Sequence, residues 1–236
     1  MEVLRTRLAG GAAEARGTAV VIDVFRAFTC APLFVHFGVS RLILEADPAE
    51  ATALRRAHPD WLLAGEVNEV PIEGGDLSNS PSEILQRGDV FFRGKTLVHR
   101  TTAGVTGATA ALKHADEVLL GGFLTAGSTA RHLRERGPAT VTLVAMGSRG
   151  TEPSPEDEAC AAYLEHLLTG RPYDHLAAME EILFHPAARK FLRGDKLHLP
   201  PEDPVLCLQR DLLDMVLGIE MEEGRVVVRR RDRAGA

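Results

Sequence analysis

Residues 19–27 read AVVIDVFRA, and this stretch decides the fold. Residues 19–24 form an apolar run with little helical periodicity, which predicts an interior strand. A carboxylate, Asp23, stands at the end of that run, and Arg26 follows three positions on. Charges are costly near a core unless something there uses them. In open α/β sheets, ligands gather outside the carboxyl ends of the strands. Asp23 and Arg26 are therefore the first candidates for chemistry.

Strand and helix signals alternate outward from this point, which predicts an α/β fold. A helix over about 26–37 stops near Gly38, and a strand covers 41–45. Asp47-Pro48 is an N-cap followed by proline, opening a helix to about Ala57. Residues 61–64 read as a strand leading to Gly65-Glu66, and a Gly-rich loop covers 73–79. Ser80-Pro81-Ser82-Glu83 has the spacing of a capping box. Residues 96–100 read as a strand ending in Thr101-Thr102-Ala103-Gly104, with a helix beyond it to about Lys113. Strand, helix and strand follow at 117–120, 125–136 and 140–145. Ser154-Pro155-Glu156-Asp157 opens a helix through about Leu168, and a last strand covers 225–230. Neither a repeat nor a domain boundary interrupts the chain, so residues 1–236 are expected to form a single domain.

Composition bounds the function. A chain of 236 residues, 45% hydrophobic and 25% charged, is ordinary globular material with enough length for a sizeable core. A formal net charge of -6 argues against a general nucleic-acid binder. The arginines at 225, 229, 230, 231 and 233 read as a solvated tail. Cys30, Cys160 and Cys207 are odd in number and far apart, which suits a reducing, cytoplasmic setting. The N-terminus lacks the apolar core of a signal peptide, and no run of about 18 apolar residues predicts a membrane span.

Four polar segments follow four predicted strands: Asp23 to Arg26, Gly65-Glu66, Thr101 to Gly104, and residues 147–157. If the strands are mostly parallel, these segments meet at one sheet edge, and the loop carrying Asp76, Asn79 and Ser80 joins them from the side. Helix N-termini after Ser80 and Thr102 offer free amides to an anion, and Arg26 offers a charge-assisted contact. The carboxylates Asp23, Glu66, Asp76, Glu156 and Asp157 exceed what an anion site tolerates. A hard divalent cation such as Mg²⁺ resolves that conflict. Each residue also has a plainer reading: Asp23, Ser80, Glu83 and Asp157 as helix caps, Glu66 as a strand-end surface residue, Thr101 and Thr102 as strand formers.

Other patterns fail on inspection. GDVFFRGKT (88–96) has one residue too many between its glycines for a P-loop, and a strand is expected after it. Residues 147–150, GSRG, are not a nucleophile elbow. The histidines show no metal spacing, and His99 is the one nearest the expected site.

IDVFRAFT (22–29), GGDLSNSPSE (74–83), HRTTAGVTGA (99–108) and SPEDEACAAYLEHLL (154–168) resemble, in order and spacing, the 2-phosphosulfolactate phosphatase family. HPAARKFL (185–192) and DPVLCLQRDLLDMV (203–216) extend the likeness over nearly the whole chain. The resemblance implies a three-layer α/β/α fold with a mostly parallel or mixed sheet. It implies a Mg²⁺-dependent phosphatase that converts 2-phosphosulfolactate to sulfolactate and phosphate, a step of coenzyme M synthesis. The matching positions are Asp23, Arg26, Glu66, Asp76, Asn79, Ser80, Thr101, Thr102, Gly104 and Asp157. Chemistry divides them into Asp23 and Arg26 for catalysis, Asn79, Ser80, Thr101, Thr102 and Gly104 for substrate, and Asp23, Glu66 and Asp157 for the metal. Ala103 and Val105 depart from a Thr-Asn-Gly-Thr pattern, and Val67 replaces a basic residue. These departures bear on the substrate and favour a rival, a weak or inactive relative that binds a small anionic metabolite. The oligomeric state stays open, a homo-oligomer included.

Overall fold

In the computed structural model, which describes residues 1–231, β1 (Glu2–Arg7) and α1 (Leu8–Ala13) precede β2 (Thr18–Ile22). Next come α2 (Ala27–His36), β3 (Arg41–Glu45), α3 (Pro48–Ala57), β4 (Leu62–Val67) and β5 (Val70–Pro71). The middle of the chain forms α4 (Pro81–Phe92), β6 (Thr96–Arg100), α5 (Gly104–Ala111) and β7 (Glu117–Gly121). A 3₁₀ turn at Phe123–Thr125 leads into α6 (Ala126–Arg136), β8 (Thr140–Ala145) and α7 (Pro155–Thr169). The chain ends with α8 (His175–Phe184), α9 (Pro186–Leu192), α10 (Glu202–Cys207), β9 (Leu217–Glu222) and β10 (Arg225–Arg230).

Every residue of β2 is buried, and alternate side chains enter different cores. Ala19 and Val21 pack with Phe28, Phe34, Ile84 and Val105, from α2, α4 and α5. Val20 and Ile22 pack with Phe123, Leu133 and Leu164, from the other face. A strand covered on both faces must read as a continuous apolar run, which is why β2 was legible. The result is a three-layer α/β/α arrangement around a ten-stranded mixed sheet, ordered β1-β8-β2-β7-β9-β10-β3-β6-β4-β5.

Parallel pairing holds within two sets, β1-β8-β2-β7 and β3-β6-β4. The antiparallel hairpin β9-β10 separates them, and three antiparallel steps give the two sets opposite senses. The expectation that parallel strands alone gather the polar segments is thus corrected. The β7–β9 pairing is confined to Leu119 opposite Gly218, so the sets are not fixed in one flat ladder. Helices cross between them instead: α2 leaves β2 to pack on α4, and α5 leaves β6 to pack on β2 and β7.

Several elements escaped the sequence reading, among them β1, α1 and β9. The alternation of β1 is largely exposed and charged, so its pairing with β8 holds it. The short, Gly-rich α1 carries little helical signal. In β9, LGIEME has only three buried positions. Gly65 and Glu66, expected after a strand, lie within β4. Among the described residues no helix is long and apolar enough to cross a membrane, and Cys30, Cys160 and Cys207 are free and buried.

Candidate active site

Loops after β2, β6 and β8 and the end of β4 line one cavity of about 270 Å³, at the small end of ligand pockets. Asp23, Arg26, Glu66, Asn79, Thr101 and Thr102 line it. Ser80, Asp76 and Asp157 do not, and Gly104 adjoins it through Asp23.

Asp23 is buried, and its Oδ1 accepts the Ala27 amide at 3.3 Å, so it serves the start of α2 as well as the cavity. Burial pushes its carboxyl up to about 7; the Glu66 and Glu156 charges push the same way, while the Ala27 and Gly104 amides oppose them. A Cβ at Gly104 would stand 2.8 Å from Asp23 Oδ2, so glycine is what lets α5 begin against this carboxylate.

Arg26 is equally buried. Its Nη1 donates to Asp203 Oδ2 at 2.8 Å and to the His198 carbonyl at 3.1 Å, and its guanidinium lies over the Phe191 ring at 5.1 Å. Its Nε and Nη2 make no hydrogen bond to the described residues.

Glu66 joins the ends of β4 and β6. It accepts the Thr102 amide at 2.8 Å, the Thr102 hydroxyl at 3.0 Å and the Glu69 amide at 2.6 Å, with Arg100 Nη1 3.8 Å away. Arg100 Nη1 also donates to the Glu66 carbonyl. The close approach rests on Gly65, whose φ is +146° and whose Cβ position would fall 2.0 Å from the Arg100 carbonyl oxygen. Thr101 Oγ1 accepts the Val105 amide at 3.2 Å, tying the start of α5.

Asn79 reaches the cavity and its Oδ1 lies 2.9 Å from His99 Nε2. Burial drives His99 down to about 3, so the ring is neutral, and its Nδ1 has no partner. Ser80 caps α4 by accepting the Glu83 amide at 3.3 Å, and also donates to Asp203 at 2.9 Å. The reciprocal half of the capping box is displaced: Glu83 accepts the Ser78 amide and hydroxyl instead. Asp76 is a clamp away from the cavity, bound to Arg55 and to the Leu63 amide.

Asp157 and Glu156 divide what the sequence could not separate. Asp157 accepts the Val24 and Gly147 amides, both at 2.7 Å, one to each oxygen, and so locks the ends of β2 and β8 together. Burial raises its carboxyl well above the usual range, with Glu156 and Asp23 adding to the effect. Glu156 lines the cavity, is buried, and is likewise raised by burial. Glu156 Oε2 and Ser154 Oγ have no hydrogen-bond partner of good geometry, though the hydroxyl is near enough to favour the charged carboxylate. In the run Glu-Asp-Glu at 156–158, only the angular position on α7 tells which carboxylate faces the cavity.

No residue of the opposite wall was named as a site residue: Arg149, His185, Lys190 and Phe191, with Glu69 paired to Lys190. Arg149 lies in the polar segment 147–157, and the other three lie in HPAARKFL. Arg149 makes no ion pair among the described residues. Val67, where a basic residue was expected, packs with Trp61 against Leu63 and Ile72 and does not line the cavity, whereas Ala103 does. Val105 is core.

A family profile described as 2-phosphosulpholactate phosphatase matches residues 10–221. A protein of Bacillus subtilis (strain 168) named probable 2-phosphosulfolactate phosphatase is 33% identical over 86% of this chain and 87% of its own. A protein of the same name from Deinococcus radiodurans is 35% identical over 64% of this chain and 61% of its own. Another from Thermoplasma volcanium is 24% identical over 94% and 98%.

Proposed function

The chain belongs to the 2-phosphosulfolactate phosphatase family, an enzyme class of phosphoric monoester hydrolases, and from that premise we propose that it releases phosphate from 2-phosphosulfolactate or a related small phosphorylated hydroxy acid, with Mg²⁺ as cofactor. The observation that carries this reading is one small cavity lined by three buried carboxylates, Asp23, Glu66 and Glu156, beside an arginine with unused donors.

Those residues fit a divalent cation. Glu156 Oε2 is a buried oxygen without a hydrogen-bond partner. Among the described residues no three or more His, Cys, Asp or Glu side chains form a ready-made metal centre. Two carboxylates suffice for Mg²⁺, which keeps several waters and takes substrate phosphate oxygens as ligands. Asp23 and Glu156 would hold it, while Glu66 and Asp157 orient backbone. When bound, such an ion polarises the phosphoryl group and offsets its charge.

The chain's own groups do the positioning. Arg26 binds phosphoryl oxygens through its Nε and Nη2 donors, and Asn79 adds a neutral donor. Asp23 orients the attacking water. Phosphoryl transfer rests largely on such placement and charge stabilisation. Arg149 and Lys190 supply the positive charge that is absent at Val67, which supports a substrate with a second acidic group. The three buried free thiols support a reducing, cytoplasmic setting, and the product suits coenzyme M synthesis.

The test is phosphate release from 2-phosphosulfolactate and a panel of small phosphate esters, with Mg²⁺ and with EDTA, beside Asp23→Asn. Mg²⁺-dependent release that disappears in the variant is expected. Thermal stabilisation by these esters without release would instead favour the anion-binding rival.

A further inference from the structure

We infer that Asp203 is a positioning residue: it holds Arg26 by one nitrogen so that the other edge of the guanidinium serves the phosphate. This rests on the phosphate-binding role assigned to Arg26 above. Asp203 lies on α10, far along the chain from Arg26, and has no exposed surface. Its Oδ2 takes Arg26 Nη1 at 2.8 Å, and its Oδ1 takes the Ser80 hydroxyl at 2.9 Å and the Ser82 amide at 3.0 Å.

Three groups from the C-terminal third hold the guanidinium. They are the Asp203 carboxylate, the His198 carbonyl on the same Nη1, and the Phe191 face. An arginine engaged through Nη1 keeps its Nε–Nη2 edge, which matches two oxygens of a phosphate side by side. Arg26 lines the cavity, and that edge has no partner among the described residues. The other Asp203 oxygen ties the start of α4, next to Asn79. One carboxylate therefore sets the relative placement of two cavity-lining segments. A buried ion pair is weak evidence for stability, but orientation is what this pair's geometry provides.

Asp203→Asn separates the two functions of the carboxylate. Two donors, from Ser80 and Ser82, fix the amide oxygen at the Oδ1 position, which turns the new NH₂ against Arg26 Nη1. The experiment is a cycle of Asp203→Asn, Arg26→Ala and the double variant. Affinity for inorganic phosphate is read by calorimetry, and kcat and KM for phosphate release are read in parallel. Each single variant is expected to lose about 10- to 100-fold in phosphate affinity, the worth of hydrogen bonds to a charged group. The double variant is expected to be no weaker than Arg26→Ala alone. Independent, multiplying losses would overturn the inference, as would wild-type affinity in Asp203→Asn. If Asp203→Asn fails to fold, Arg26→Lys decides. It keeps the charge without the two-pronged edge and is expected to bind phosphate as weakly as Arg26→Ala, so wild-type affinity there also overturns the inference. A wild-type protein that cleaves no ester but shows the coupled losses refutes the proposed function and leaves the role of Asp203 standing. A wild-type protein that binds no phosphate overturns the role of Asp203, whatever its turnover.

Discussion

Asp157 was expected to bind metal, and the structure gives it different work that can be measured. Its two oxygens each accept one buried amide, from Val24 and Gly147, at 2.7 Å. These amides belong to the chain just past β2 and just past β8, so the carboxylate fixes the distance between the loop that carries Asp23 and Arg26 and the loop that carries Arg149. Asp157→Ala removes both acceptors and leaves two amides without partners. At about 1–3 kcal/mol for each such group, the loss is roughly 2–6 kcal/mol. A domain holds about 5–15 kcal/mol in total, so the alanine variant approaches unfolding.

Asp157→Asn is milder and more informative. It keeps one acceptor and turns an NH₂ against the other amide. The neutral side chain also relieves repulsion from Glu156 and Asp23, which already raises the Asp157 carboxyl. The net loss is roughly 1–3 kcal/mol, or about 2–12 °C in Tm for a chain of this size. Urea denaturation in EDTA reads the stability, and the same curves with Mg²⁺ read metal affinity by linkage. Asp157→Asn should lower the midpoint in EDTA while keeping the Mg²⁺-induced gain. A wild-type midpoint in EDTA, together with loss of the Mg²⁺ gain, would make Asp157 a ligand and refute the reasoning.

The remaining predictions concern glycine and pH. Gly104→Ala presses a methyl against Asp23 Oδ2 and Phe28, and should cut kcat about 100-fold, the scale of an ångström's misplacement; full turnover in a folded variant rejects this placement of Asp23. Gly65→Ala combines a φ of +146° with a backbone clash at Arg100, and should abolish soluble expression or the cooperative melt. In metal-free protein, Asp23 is raised to about 7 when folded, so its contribution is full below its ordinary value of 3.8 and is lost as pH rises to 7. His99 has the opposite sign: lowered to about 3, it contributes fully above 6.5 and loses that contribution as pH falls. The two slopes oppose each other between pH 4 and 6.5, so the pH slope of the urea midpoint in EDTA should be more positive than wild type in Asp23→Asn and more negative in His99→Gln; slopes equal to wild type in both variants would show that neither group titrates as described.

What could be read in the sequence follows burial. β2, β6 and β8 are dense in apolar residues because helices cover them, and their polar ends pointed to the cavity. Asp47 and Ser80 announced helices through local chemistry that needs no tertiary context. β1 and β9 were silent because their pairing partners, not their own side chains, hold them. Within the site, residue type was legible and facing was not. Asp76, Glu66 and Asp157 look like ligands in the sequence, yet their oxygens are taken by Arg55, Thr102 and backbone amides. Asp203 and His99 act through other side chains, and no local spacing marks a residue whose partner lies far along the chain.

The opposite senses of the two strand sets explain why the cavity has two chemically different walls. One set brings two carboxylates, Asp23 after β2 and Glu156 at the start of the helix after β8. The other brings neutral donors around Glu66, Thr101 and Thr102, and the segment before α4 brings Asn79. The first set also carries the cations Arg26, held by α10, and Arg149, while Lys190 comes from α9. A site divided in this way cannot be tuned by one loop. Replacing Val67 with a basic residue, the simplest way to match the expected family pattern, would place charge in the Trp61–Leu63 cluster rather than in the cavity. Ala103 faces the cavity, so Ala103→Asn is the change expected to alter which ester is cleaved fastest. An unchanged ester preference in that variant would move the determinant to the Arg149 and Lys190 wall.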